Sequence, residues 1–290
     1  MKFSLLLMLT VIGALLAAML VAPIAAFALA AGGFHFPFPR IFDRTMMVTV
    51  FIAMVAAARS LKLRKLVTTG FRDPSRNLPA ALRGFATAII AISTLFILAF
   101  ILGAHGGHGG ARLLVRWPKY ILAAIVVALI EETFFRAFML GGMMPDFGRR
   151  GALIVSSAIY ALSHLLRSPQ HFYLTGYHPA AGLHNLAGST VQLSHPATAL
   201  PAVFGLFLLG LVLGEAFLTT GTVYFSIGLH AGFVLAAKSW PAMLTPGVHL
   251  PVWLAGYPRF ALISGPAAWI VALILLLMVP KLCKQRSSAN

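Results

Sequence analysis

Long apolar stretches, separated by short polar segments, dominate this sequence and constrain its fold more than any other feature. A run of roughly 20 apolar residues is the length that a helix needs to cross a bilayer. Of the 290 residues, 60% are hydrophobic and only 10% are charged, whereas ordinary globular domains carry about 25% charged residues. A soluble protein with so few charges could not cover its surface. We therefore predict an all-α fold, a polytopic transmembrane helical bundle that forms one integral membrane domain over residues 1–290.

The apolar stretches predict about eight spans. The second, fifth and seventh are short for a bilayer, so they are expected to extend into flanking residues or to lie inside the bundle. The first is much longer than the roughly 7–15 apolar residues of a signal peptide, so we predict a retained span. The predicted spans are Leu5–Leu29, Met46–Ala58, Leu78–Leu102, Trp117–Met139, Ala152–Leu166, Ala197–Leu218, Thr222–Ala237 and Phe260–Val279.

The net charge of +16, from 22 Lys and Arg against 6 Asp and Glu, predicts a membrane partner. On a soluble protein such a charge would suggest nucleic acid, but no recognition motif is present, so no nucleic-acid partner is expected. Basic loops between spans set topology and contact anionic lipid headgroups. The loop after the second span is strongly basic, which predicts that it is cytoplasmic and, by counting spans, that both termini are cytoplasmic. Its basic residues are Arg59, Lys62, Arg64, Lys65, Arg72 and Arg76.

Three of the six acidic residues lie within apolar stretches: Glu131, Glu132 and Glu215. A carboxylate in the centre of a bilayer costs a few kcal/mol even on a lenient scale, so such a residue is a functional hypothesis by default. The lone Glu215 is expected to have a structural role. Two adjacent carboxylates at 131 and 132 point instead to a chemical site.

Helix geometry separates the roles of the two adjacent carboxylates. Glu132 and Arg136 are four residues apart, so they share a helix face and can pair. Glu131 lies about 100° away around the helix and is not aimed at Arg136. We therefore predict that Glu132 and Arg136 support the site and that Glu131 is the general base.

Two histidines, His164 and His230, lie in other predicted spans. A single buried histidine is more often a structural residue than a catalyst. A glutamate with two histidines, however, can hold and polarise a water molecule, with or without a metal ion. An alternative is that Glu131, Glu132 and Arg136 form one charge network that locks helix packing.

Three motifs in this order resemble the CPBP family, which includes the type II CAAX prenyl endopeptidases and bacterial intramembrane relatives. They cover a protease-like core at about residues 117–238. The motifs are Glu131-Glu132-Thr133-Phe134-Phe135-Arg136, Tyr160-Ala161-Leu162-Ser163-His164 and Ser226-Ile227-Gly228-Leu229-His230-Ala231-Gly232.

The resemblance implies an intramembrane endopeptidase of a bacterial cytoplasmic membrane that hydrolyses a membrane-bound protein or peptide. It implies that Glu131 and His164 activate a water molecule and that His230 stabilises the oxyanion. Glu132, Arg136 and Tyr160 would be supporting residues. The sequence departs from the family at Tyr160, where Phe is usual, and at Val234, where an Asn or Asp often follows the second histidine by four residues.

Two alternatives to a metal-free protease stay open at this point. No cofactor is expected, and a glutamic-type mechanism is favoured over a zinc metalloprotease. If a divalent metal such as zinc is required, its ligands would be Glu131, His164 and His230. The second alternative is a non-catalytic transporter, or an immunity or assembly factor, that uses the buried Glu and His residues structurally or as a proton relay. A transporter often shows an internal repeat, and none is visible here.

Overall fold

A computed structural model describes residues 2–104, 110–165, 172–243, 249–257 and 260–284. Within these ranges the chain forms helices and turns without a β-strand, which confirms the all-α prediction. The chain divides into two compact units, one of residues 1–64 and 162–199 and the other of residues 65–161 and 200–290. A single membrane domain over 1–290 stays a prediction.

The helices follow the apolar stretches closely. A π-helix, Thr133–Leu140, joins α5 to α6, and a short 3-10 helix, Val191–Ser194, follows α7. The α-helices are α1 (Phe3–Ala31), α2 (Phe38–Ala56), α3 (Leu63–Gly70), α4 (Pro74–Ile101), α5 (Gly110–Glu132), α6 (Gly141–Ser163), α7 (Ala181–Thr190), α8 (Pro196–Thr220), α9 (Tyr224–Met243), α10 (Val252–Ala255) and α11 (Pro266–Lys284).

Four of the described helices are long and apolar enough to cross a membrane: α1, α4, α8 and the Pro266–Cys283 part of α11. Their outward side chains suit lipid, since Leu20, Ile90 and Leu277 are 70%, 70% and 76% exposed. The other predicted spans are also helical, in α2, α5, α6 and α9, but these helices carry charges or a break at Gly148. The count of about eight spans is therefore not confirmed.

In the first unit, α1, α2 and α7 pack around one apolar core. Phe38 is fully buried there, and its ring lies 5.4 Å from that of Phe172. Gly182 of α7 lies directly against the backbone of Met19 in α1. The buried residues of this core are Ala22, Ala26, Phe38, Ile41, Phe42 and Ala181.

In the second unit, a close contact between α4 and α9 positions the helix that carries His230. A Cβ on Gly228 would lie 1.8 Å from the carbonyl oxygen of Ala81, and a Cβ on Gly84 would lie 2.1 Å from that of Phe225. Only glycine permits this approach of two backbones. Ala231 of α9 packs against two alanines of α5, so α9 also lies along the helix that carries the two glutamates.

The basic loop predicted after the second span contains the short helix α3. Its last residue, Gly70, lies against Ala137 of the π-helix, because a Cβ there would be 2.7 Å from the Cβ of Ala137. The amide of Val223 donates to the Gly70 carbonyl at 3.0 Å. The end of α3 therefore packs against the π-helix and is held by a backbone hydrogen bond from Val223.

Candidate active site

The two adjacent glutamates are the last residues of α5, and the structure gives them different environments. Glu132 is fully buried, whereas the side chain of Glu131 is 26% exposed. This difference agrees with their predicted positions on different sides of the helix. Glu131 is therefore the partly exposed member of the pair, although its Oε2 atom is itself buried.

Directly after Glu132 the helix changes to the π form. The amide of Gly141 donates to the carbonyl of Arg136, five residues earlier. A π-helical turn is rare and is frequently found at functional sites. Arg136 and the four residues that follow it are all buried, so this segment lies inside the unit.

The predicted pair between Glu132 and Arg136 is present. Nε of Arg136 lies 3.3 Å from Oε2 of Glu132, and both side chains have no exposed surface. The guanidinium carbon lies 5.0 Å from the centre of the Tyr160 ring and 6.0 Å from that of Phe135. Among the described residues the two terminal nitrogens of Arg136 make no hydrogen bond. The two aromatic rings and the Glu132 carboxylate are therefore the main groups that stabilise its buried charge.

His230 connects the two glutamates. Its Nδ1 lies 2.9 Å from Oε1 of Glu132, and its Nε2 lies 3.9 Å from Oε2 of Glu131. Since an ionised carboxylate can only accept, Nδ1 is the protonated nitrogen in this hydrogen bond. Glu132 therefore fixes the orientation of the ring and presents Nε2 to Glu131, as orienting carboxylates do for histidines elsewhere. Helix geometry assigned Glu132 to Arg136 alone and did not predict this second contact.

Val234, where the family often has an amide or acid, lies in an apolar cluster. It packs against Ala124 and Ala128 of α5 and Ala231 of α9. The position therefore supplies no hydrogen-bond donor to a substrate.

His164 lies in the turn after α6 and is half-buried. It belongs to the first unit, whereas Glu131, Glu132, Arg136 and His230 belong to the second. A shared site with His164 stays a prediction. No three His, Cys, Asp or Glu side chains in the described part of the chain lie together as a metal group would.

Comparison with known families gives a match over residues 112–236 to the Rce1-like type II CAAX prenyl endopeptidases. Residues 112–236 are therefore similar to that family. This segment runs from the start of α5 into α9 and includes every predicted site residue. The resemblance to the CPBP family is thereby confirmed, and the match supports a protease in an integral membrane protein.

A second comparison finds a similarity to a transporter. The chain is 26% identical over 166 residues to the Na(+)/H(+) antiporter NhaA of Rhizobium etli. The alignment covers 55% of this chain and 41% of the antiporter, so the chain spans about two fifths of the length of that relative. No solved structure matches the chain.

Proposed function

We propose that the chain is an intramembrane endopeptidase that hydrolyses a peptide bond in a membrane-associated protein or peptide. The observation that carries this proposal is the position of His230 between the partly exposed Glu131 and the buried Glu132. A partly exposed glutamate beside a histidine oriented by a second carboxylate is an arrangement suited to activating water. The Rce1-like match supports a protease.

In the proposed reaction, a water molecule binds between Oε2 of Glu131 and Nε2 of His230, whose separation of 3.9 Å allows one water to contact both atoms. Glu131 accepts a proton as the water attacks the scissile carbonyl carbon, and it later gives that proton to the leaving amine. When His230 carries a second proton, Nε2–H donates to the oxyanion. In that form the charges of Glu131, Glu132, Arg136 and His230 cancel. His164 is proposed as a second contact for the water, as the resemblance implies.

We further propose that the protein lies in the cytoplasmic membrane of a bacterium with both termini cytoplasmic. Exposed basic side chains in the second unit support a face that contacts anionic headgroups. They lie in the basic loop, directly after the break in α6 and in the last turn of α11. These residues are Arg72, Arg76, Arg149, Arg150 and Lys281.

Removal of divalent metals is expected to leave cleavage unchanged, because the proposed base and donor are protein groups. The measurement is the rate of cleavage of a membrane-bound peptide by the purified chain in liposomes, before and after dialysis against a chelator. Loss of activity that added zinc restores would contradict the metal-free mechanism. It would favour Glu131, His164 and His230 as ligands.

The similarity to a sodium–proton antiporter favours one second candidate, a transporter in which the buried glutamates relay protons. Liposomes that contain the chain and a pH-sensitive dye separate the two functions. A protease is expected to show no change of internal pH when a sodium gradient is imposed. A sodium-driven pH change that disappears in Glu131→Gln, without peptide cleavage by the unmodified chain, would establish the transporter instead.

A further inference from the structure

The short helix α3 packs one apolar face against the π-helix of the candidate site. A Cβ on Gly70 would lie 2.7 Å from the Cβ of Ala137, in the middle of the π-helix. One turn earlier, Cδ2 of Leu66 lies 3.6 Å from the position of a Cβ on Gly141, whose amide makes a π-helical hydrogen bond. The apolar face of α3 therefore contacts the segment that directly follows the two glutamates.

The other face of α3 is exposed and basic. Arg64 and Lys65 on the helix and Arg72 just after it have exposed side chains. The only acid between residues 59 and 76 is Asp73, against six Lys and Arg. Like charges this close in the chain repel one another, which opposes a compact arrangement unless counter-charges are present. The exposed face of α3 is therefore complementary to an anionic partner.

The C-terminal end of α3 lies where two candidate membrane spans meet the headgroup layer. The span α4 begins at Pro74, directly after the α3 segment, and the span α8 ends at Thr220. Nη2 of Arg72 lies 2.9 Å from the position of a Cβ on Gly221, so these two span ends are adjacent. Anionic phospholipid headgroups attract basic side chains at this boundary. The location favours a lipid over an acidic protein segment as the partner.

The docking of α3 is weak, and strained residues precede and follow the helix. Lys62, directly before α3, has a φ of 50°, and Asp73, directly before α4, has a φ of 48°. Residues other than glycine are uncommon in this left-handed region, and such strain concentrates at switch segments. Gly70 is the buried residue of α3, while the rest of its apolar face is half-buried. A helix of eight residues is marginal by itself, so α3 depends on what holds it in place.

We propose that anionic phospholipid headgroups bind the basic face of α3 and hold its apolar face against the π-helix. Docked α3 restrains Ala137 and, through the continuous helix, the end of α5 that carries Glu131 and Glu132. Anionic lipid therefore raises the rate of cleavage. This effect on the rate rests on the proposed function, whereas the lipid-dependent docking of α3 does not.

Hydrogen exchange tests the docking without any assay of cleavage. The amide of the fully buried Val223 donates to the Gly70 carbonyl at 3.0 Å, so its exchange reports the docking of α3. The chain is placed in liposomes of phosphatidylcholine, with or without phosphatidylglycerol. We expect phosphatidylglycerol to slow exchange of the peptide that contains Val223, by about fivefold for each basic side chain that contacts a headgroup. Equal exchange in the two kinds of liposome would overturn the proposal.

A charge variant of α3 and a matched control separate specific binding from a general effect of charge. The double variant Arg64→Gln with Lys65→Gln keeps the apolar face and should lose most of the slowing by phosphatidylglycerol. The control, Arg149→Gln with Arg150→Gln, removes two exposed basic side chains from α6. The control should keep the slowing. Loss of the slowing in both variants, or in neither, would overturn the proposal.

The link to the site is tested in the same liposomes with an uncharged membrane-bound peptide as substrate. We expect kcat of the unmodified chain and of the α6 control to rise severalfold with phosphatidylglycerol, and kcat of the α3 variant to stay low. An unchanged kcat despite slower exchange at Val223 would overturn the link. Slower exchange without any cleavage would support the docking and overturn the proposed function instead. Protection by an added acidic peptide, with no response to phosphatidylglycerol, would overturn the proposal in favour of a protein partner.

Discussion

Replacing Glu131 by Gln is expected to abolish peptide cleavage, with a loss of about 10²–10⁴ in kcat, the typical contribution of a general base. Gln is nearly the same size and keeps hydrogen-bonding atoms, but it cannot accept the proton of the attacking water. The variant should fold, because the side chain is 26% exposed and Arg136 remains paired with Glu132. The measurement is the initial rate of cleavage in liposomes, together with the thermal unfolding midpoint as a check of folding.

The matched control is Glu215→Gln, which neutralises the other glutamate that lies within a long apolar helix. Glu215 is 24% exposed, accepts a hydrogen bond from Thr219 at 3.3 Å and lies 3.9 Å from Arg149. It has no contact with His230 among the described interactions, so its loss should leave kcat close to that of the unmodified chain. Full cleavage by Glu131→Gln, or equal losses in both variants, would contradict the assignment of Glu131 as the base.

The largest effect on stability is expected from removing one member of the Glu132–Arg136 pair. Glu132→Leu leaves the guanidinium of Arg136 buried without its counter-charge and leaves Nδ1 of His230 without an acceptor. Breaking a buried pair in this way costs about 3–5 kcal/mol. Arg136→Met should lower the free energy of unfolding by a similar amount, because it leaves the Glu132 carboxylate buried without its counter-charge. The measurement is the free energy of unfolding from denaturant titration in mixed micelles.

The double variant Glu132→Leu with Arg136→Met distinguishes a paired charge from simple packing. Because it removes both charges, it should be more stable than either single variant, although it should not restore activity, since His230 has lost its orienting carboxylate. The control is Arg149→Met, which breaks a pair in which Arg149 is 59% exposed; exposed pairs contribute only about 0–1 kcal/mol. If the losses in free energy of unfolding of the two single variants simply add in the double variant, the interaction between Glu132 and Arg136 does not stabilise the fold.

Much of the fold is predictable from the sequence, because a bilayer demands long apolar helices and this chain has them. Each of the eight predicted spans overlaps a described helix, and the pairing of Glu132 with Arg136 follows from their spacing alone. Charged residues on α2, α5 and α6, and His230 and Lys238 on α9, lower the mean hydropathy of these four helices. Such helices depend on tertiary packing, which periodicity does not reveal.

The candidate site is less predictable, because its central contact joins residues far apart in the chain. Nothing in the spacing of His230 and Glu132, which are 98 residues apart, indicates a hydrogen bond. The π-helix is equally hard to predict from the sequence, because its residues have an ordinary α-helical pattern. The presence of Tyr160 where Phe is usual is visible in the sequence, but its contact with the Arg136 guanidinium depends on the fold.

The central claim, hydrolysis by a water molecule that Glu131 activates, is tested most directly by mass spectrometry of cleavage products formed in ¹⁸O-labelled water. A membrane-bound peptide is incubated in liposomes with the unmodified chain or with Glu131→Gln. We predict that the unmodified chain releases a fragment with one ¹⁸O atom in its new terminal carboxylate and that Glu131→Gln releases none. The same labelled fragment at the same rate from both proteins, or no fragment from either, would contradict the account.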